Sequence, residues 1–190
     1  MKNISLLFVV LFASFCFMQS DVENALKESV PAVPVIPVVP QLPDLFIDAI
    51  ETGAVVYTST NYDINHQFGF RLNTISPGFA SSWVADVQDL NQYIQIGVGE
   101  PHRWYSVKTQ GRYGSDQHVI NYIVQHTMNG RDWVEADNGR IFDGNTDSNT
   151  VVENRFNQPF MARAIRICPT AWRSYIAMRV EAVYIQDVTI

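Results

Sequence analysis

From Leu45 onward the chain consists of short segments in which apolar and polar residues alternate, cut by Asn, Asp, Gly and Pro, and no stretch keeps a helical period. Successive side chains of an extended strand point to opposite faces, so this pattern predicts half-buried strands and an all-β domain. In Tyr93-Ile94-Gln95-Ile96-Gly97-Val98 the residues Ile94, Ile96 and Val98 share one face and Gln95 points the other way. In the stretch 176–184, Ile176, Met178, Val180, Ala182 and Tyr184 share a face, with Arg179 and Glu181 opposite. The run 118–127 is apolar on both faces, as a central strand would be, and Asn129-Gly130 after it signals a tight turn before Trp133. Several such strands without internal repeats predict a β-sandwich or barrel.

Upstream the chain changes character. Residues 1–20 open with Lys2, run apolar over 4–18 and end at Gln19-Ser20, which reads as a secretory signal peptide. The apolar run is shorter than the roughly 20 residues that span a bilayer, so cleavage near Ser20 is favoured over anchoring. Over 21–44 the prolines Pro31, Pro34, Pro37, Pro40 and Pro43 recur every third residue. Polyproline II has three residues per turn, so this stretch is expected to be an extended spacer with its rings on one edge, or a docking strip made sticky by Val and Ile. The organisation expected is therefore signal peptide 1–20, spacer 21–44 and one domain over 45–190.

Charge and cysteine content exclude several functions. With 13 Lys+Arg against 19 Asp+Glu the formal charge is −6, and no basic run occurs, which disfavours nucleic acid and anionic membranes as partners. Loss of residues 1–20 removes Cys16 and leaves Cys168 alone, so the exported chain could close no internal disulfide. Cys168 sits in an apolar run and is expected to be a buried, inert thiol. No Asn-x-Ser/Thr acceptor occurs beyond residue 20, and His66, His102, His118 and His126 lack zinc-ligand spacing. The Gly-x-Ser-x-Gly, His-Glu-x-x-His and phosphate-loop motifs are all missing, so no enzyme is expected.

Nine short words then fall in one order and spacing: Thr58-Ser59-Thr60-Asn61-Tyr62, Trp83, Asn91-Gln92-Tyr93-Ile94, Thr109-Gln110-Gly111-Arg112, Asp116-Gln117-His118-Val119, Asn129-Gly130-Arg131-Asp132-Trp133, Phe142-Asp143-Gly144-Asn145, the stretch 162–169, and Arg179-Val180-Glu181. Through them residues 45–183 resemble the discoidin domain, or coagulation-factor type C domain, with the N-terminal domain of the slime-mould discoidins as the likeness within it. The resemblance implies an eight-stranded, galactose-binding-domain-like jelly-roll β-sandwich whose loops at one end bind carbohydrate, a cell-surface protein or a lipid, with no catalysis. The chain departs from most of the family in lacking the cysteine pair that ties the two ends of the domain together, so strand pairing alone must hold them.

Site residues follow from those loops. Tyr62, with Asn61, Asp63 and His66, would offer a π face beside hydrogen-bonding groups, as a sugar ring requires; an ordinary polar turn is the alternative. Arg112, Tyr113 and Asp116 project from a glycine-containing loop that in relatives supplies a ligand-contacting Arg, and Trp172 is a third candidate. Arg112-Tyr113-Gly114-Ser115-Asp116 is not the Arg-Gly-Asp that some slime-mould discoidins carry there. The resemblance also implies a structural calcium ion, for which Glu181 matches the late Glu and Asp48 or Asp63 could supply the Asp. Trp83, Trp133, Phe142 and Phe160 are assigned to the core, and Arg163, Arg166, Arg179 and Glu181 to ion pairs of the fold. The function expected is a secreted, lectin-like module for galactose-type glycans on cells or matrix, supporting adhesion, with homo-oligomers as a source of avidity. A protein-recognition module, and less so a lipid-binding one, are the alternatives.

Overall fold

The computed structural model describes residues 44–63, 69–75 and 81–186; the stretch expected to be a signal peptide, the expected proline-rich spacer up to residue 43, and His66 lie outside them. Nine strands run as β1 (Leu45–Asp48), β2 (Val55–Thr58), β3 (Trp83–Val84), β4 (Ile94–Gln110), β5 (His118–Thr127), β6 (Val134–Glu135), β7 (Phe142–Asp143), β8 (Val152–Arg173) and β9 (Ala177–Gln186). All strand pairs are antiparallel, and three of the nine strands are two-residue pieces beside the longer ones.

β4 and β8, the two longest strands, pair from Ile94 opposite Ile167 to Thr109 opposite Val152, with register shifts between Gly97 and His102 and between Trp104 and Ser106. Before the first shift β4 has β2 on its free side, Ile96 opposite Val56; after it β4 has β9, Val107 opposite Ala182. Register shifts of this kind bend a strand and raise its twist. Two strands therefore change layer, and both halves of β4 face one core: Ile94 and Ile96 from the first, Trp104 and Val107 from the second, all fully buried in the same cluster. This is the jelly-roll sandwich of the resemblance. Its ends meet without a covalent tie, since β1 lies beside β9 from Leu45 opposite Gln186 to Asp48 opposite Val183, and Cys168 is free.

The expected alternation holds in β4, where Ile94 and Ile96 are buried and Gln95 half-exposed. It fails in β9, where Arg179 and Glu181 are buried like their apolar neighbours. The reason is cover on the second face. The backbone over 69–75 crosses β9, with Val180 N–H donating to Phe70 O at 2.6 Å. Among the described residues Arg179 has no ion-pair partner: it donates to the carbonyls of Gly111 (2.8 Å), Thr74 (2.9 Å) and Ser148 (2.6 Å) and to Asn149 Oδ1 (3.3 Å). One buried guanidinium thus fastens three loops at one end of the sandwich, and desolvation holds its pKa below the ordinary value.

The core assignments divide. Trp83 and Phe142 are buried as expected. Trp133 is corrected: it is half-exposed, with the Arg166 guanidinium 3.8 Å from its ring and 4.0 Å from that of Tyr93. Trp133 and Tyr93 therefore sandwich a cation on the outside of the sheet instead of filling the interior. Phe160 packs only partly buried against the core. Arg163 makes an exposed ion pair with Glu100 at 3.4 Å.

Candidate functional site

The loop after β2 is fixed from beneath by polar side chains of its own sequence word and the next. Ser59 and Thr60 hydroxyls donate to Gln92 Oε1 at 2.7 and 2.6 Å, and Gln92 Nε2 donates to Asp89 Oδ1 at 2.7 Å. That Gln92 bond, with the Asn91 N–H, holds the Asp89 carboxyl below its ordinary pKa. Trp83 Nε1 donates to Thr60 O at 2.8 Å, and Tyr62 N–H to Val84 O at 2.9 Å. With its backbone so held, the Tyr62 ring projects outward, 55% exposed.

Two further loops meet it. In the β4–β5 loop, Arg112 N–H donates to Gln117 O at 2.9 Å while Arg112 Nη1 donates to Gln117 Oε1 at 2.8 Å, so one residue fixes both the chain and the guanidinium. Gly111 begins this loop because a Cβ there would lie 2.8 Å from both Asp147 O and His118 Cβ. In the β8–β9 turn Ser174 adopts φ 60°, and Ile176 N–H donates to Gln88 Oε1 at 2.5 Å. That reversal sets Tyr175 at the surface, 46% exposed.

Tyr62, Val84, Arg112, Gln117 and Tyr175 line one open cavity of about 190 Å³. Val84 is buried and apolar, the two tyrosines give aromatic surface, and Arg112 with Gln117 gives a polar side. The volume lies below the roughly 300 Å³ lower bound of cavities that take drug-sized ligands, so a single small unit fits. Planar aromatic faces beside oriented hydrogen-bonding groups suit a ring with apolar C–H faces and hydroxyls at its edge.

The structure brings Tyr62 and Arg112 together, and adds Val84, Gln117 and Tyr175, which were not singled out in the sequence. Tyr175 could have been found as an aromatic in a turn just before the strand of clearest alternation. Trp172 is not at this cavity: it pairs with Val119 inside the β5–β8 ladder and packs half-buried on the core. Asn61 Oδ1 accepts from Thr58 Oγ1 at 3.0 Å and closes the Tyr62 turn. Tyr113 is 40% exposed at the tip of its loop, its carbonyl accepting from Ser81 Oγ at 3.3 Å. Asp116 faces a neighbouring cavity, where Arg173 Nε donates to it at 3.2 Å.

Of the residues the resemblance implies for calcium, the structure brings two together. Asp48 and Glu181 border one cavity, but Asp63 does not join them, and among the described residues no three His, Cys, Asp or Glu side chains come close enough to hold an ion. Glu181 is committed: Oε1 accepts the N–H of Ile50 at 2.7 Å and of Ala182 at 2.8 Å, and Oε2 that of Glu51 at 3.1 Å. Asp48 takes Lys108 Nζ at 2.6 Å. Both carboxylates are thus engaged by donors of the protein itself.

The family model for the F5/8 type C domain matches residues 56–182, most of the chain. The chain belongs to this family. The F5/8 type C domain, also called the discoidin domain, is a binding module, not an enzyme. Over 130 residues the chain is 38% identical to a discoidin-1 polypeptide of Dictyostelium discoideum, covering 65% of this chain and 51% of that protein. It is 36% identical over 116 residues to mouse retinoschisin, covering 58% and 51%. Wild-type discoidin II from Dictyostelium discoideum superposes with a TM-score of 0.71 at 31% identity, over 78% of this chain and 61% of the other. The slime-mould likeness seen in the sequence is thus borne out, and the chain spans about half the length of those discoidin-1 and retinoschisin relatives.

Proposed function

We propose that this F5/8 type C domain binds carbohydrate at the Tyr62–Tyr175 cavity, as an exported module for galactose-type glycans on cell surfaces or matrix, and so supports adhesion. The observation that carries this reading is the pair of exposed aromatic side chains, Tyr62 at 55% and Tyr175 at 46%, on one small cavity with an Arg112 guanidinium aligned by Gln117. Two partly exposed aromatic rings on separate loops offer faces at one cavity, and a sugar ring uses both such faces and the polar groups beside them. One such site is weak by itself, so adhesion requires several copies held together. Export rests on the apolar run 4–18 after Lys2.

A glycan array probed with the full chain, followed by calorimetry with galactose, tests the binding. Saturable binding that weakens in Tyr62→Ala is expected. An array without hits, together with a protein captured through the same residues, would move the function to protein recognition; sedimentation with anionic vesicles would move it to lipid. N-terminal sequencing of the expressed chain should read from about Asp21, and an intact Met1 on an intracellular product would remove the secreted reading.

A further inference from the structure

We propose that a second copy of this chain docks on the outer face of the β2–β4–β8–β5–β6 layer, so that the domain forms a two-fold dimer; the inference is independent of what the Tyr62–Tyr175 cavity binds. Strand register sets the composition of that face. Tyr57, Gln95, Arg166, Gln125 and Glu135 stand opposite one another in a row across these five strands. Val55, Gly97, Ala164 and Thr127 form the next row. Residues directly opposite share a face, and here it is the outer one, because Ile94, Ile96, Ile165 and Ile167 between them fill the core.

Arg166 and Glu135 alone are charged in these rows, and they cancel, on a chain whose net charge of −6 otherwise sets copies against each other. Neither charge is paired within the domain. Among the described residues the Arg166 guanidinium hydrogen-bonds only through Nε, to Gln95 Oε1 at 3.0 Å, and the exposed Glu135 carboxylate takes no hydrogen bond or ion pair. The guanidinium is already in place, because Tyr93 and Trp133 hold it at 4.0 and 3.8 Å from their rings. Both aromatics are half-exposed. Trp133 precedes Val134, which lies opposite His126 of β5, so its ring crosses β5 to reach Arg166 on β8. Trp, Tyr and Arg dominate the binding energy of protein interfaces, and a group fixed beforehand loses little freedom on association.

The order of the charges fits a second copy. Gln125 lies between Arg166 and Glu135, one strand from each. A two-fold axis along β5 therefore exchanges β8 and β6 across the interface. It sets Arg166 against the partner's Glu135 and Glu135 against the partner's Arg166, as an isologous contact requires. Sheets packed face to face stand about 10 Å apart, a gap that Arg and Glu side chains from opposite walls span together. On the axis the two Gln125 amides meet, and an amide carries both donors and an acceptor. Two cavities held in one dimer would also supply the avidity that a single weak site lacks.

Sedimentation velocity of the full chain from micromolar to millimolar concentration tests the dimer. The parent should pass from the mass of one chain to that of two. Gln125→Lys sets like charges together on the axis, and Glu135→Arg breaks both ion pairs at once, so each should weaken association by at least about tenfold. Arg166→Glu should do the same by itself. Mixed in equal amounts, Glu135→Arg and Arg166→Glu chains should dimerise again, because one brings two cations and the other two carboxylates to the contact. A parent that stays a single chain throughout overturns the proposal and leaves the face to a partner of another sequence. So does a dimer that persists in Gln125→Lys and Glu135→Arg, since another face would then hold it. Should Arg166→Glu melt early through loss of its stacking, the other two variants decide.

Discussion

At the scale of single residues, exposure separates binding roles from structural ones. Tyr62→Ala, Tyr175→Ala and Arg112→Ala should each weaken sugar binding by about 1–3 kcal/mol, the scale of a lost stacking or charge-assisted contact. Their melting temperatures should stay near the parent's, which calorimetry and thermal unfolding can check side by side. The tryptophans test burial itself. Trp83 is fully buried, and Trp83→Ala should lose about 3–5 kcal/mol in urea unfolding. Trp133 rests half-exposed on Arg166, so Trp133→Ala should lose only about 1–2 kcal/mol, the range of a cation–π contact. Glu181 gives a pH signature. Burial raises its pKa above the ordinary 4.5, against the lowering effect of the three N–H bonds it accepts. Between 4.5 and that raised value the folded chain holds a proton that the unfolded chain has released, so stability falls as pH rises through this window. Glu181→Gln should flatten that slope in urea titrations run at successive pH values, and an unchanged slope would assign it elsewhere.

At the scale of elements, the candidate site depends on loops that have little choice of conformation. Gly111 stands where a Cβ would press on Asp147 O, Gln117 O and His118 Cβ, and its own carbonyl takes the buried Arg179. Gly111→Ala should therefore displace the stretch 112–117 and weaken binding at the Tyr62–Tyr175 cavity, a loss visible in calorimetry with galactose. Unaltered binding in that variant would mean that the loop adjusts without moving Arg112. The turn 147–150 is set by Asp147, whose carboxylate accepts the N–H groups of Asn149 and Thr150 at 2.7 Å and the Thr150 hydroxyl. Those bonds, led by that from the Thr150 N–H, hold its pKa below the ordinary value. This turn presents Ser148 O and Asn149 Oδ1 to Arg179 and so couples to the Gly111 loop.

At the scale of the whole molecule, the domain is closed by hydrogen bonds where a disulfide closes most of its family. β1 and β9 bring the two described ends together over four residue pairs. Cys168 is free, and burial pushes its thiol up to about 11, which leaves it protonated and unreactive at neutral pH. Thermal unfolding should be unaffected by reducing agent; a marked drop in Tm would reveal a bridge between copies. The negative balance of the chain also predicts binding that does not vanish as salt is raised, since no basic cluster drives it.

The sequence by itself determined the class of fold, because alternation with period two leaves an extended strand no other way to bury its apolar side, as Ile94 and Ile96 show. It also determined the domain family through short words whose polar members, such as Gln92 beneath Ser59 and Thr60, brace the loops. Tyr62 and Arg112 were legible as candidates, and the structure sets both on one cavity. What only the tertiary structure decided was whatever depends on a second surface. Arg179 and Glu181 read as outward-facing until the 69–75 backbone and the β1 turn covered them, and Trp133 read as core until it was seen beside Arg166. Trp172 and Tyr175 lie three residues apart, and only the left-handed turn at Ser174 settles which of them reaches the cavity. Local pattern encodes which face of a strand is apolar, whereas the cover on its other face comes from residues distant in the chain.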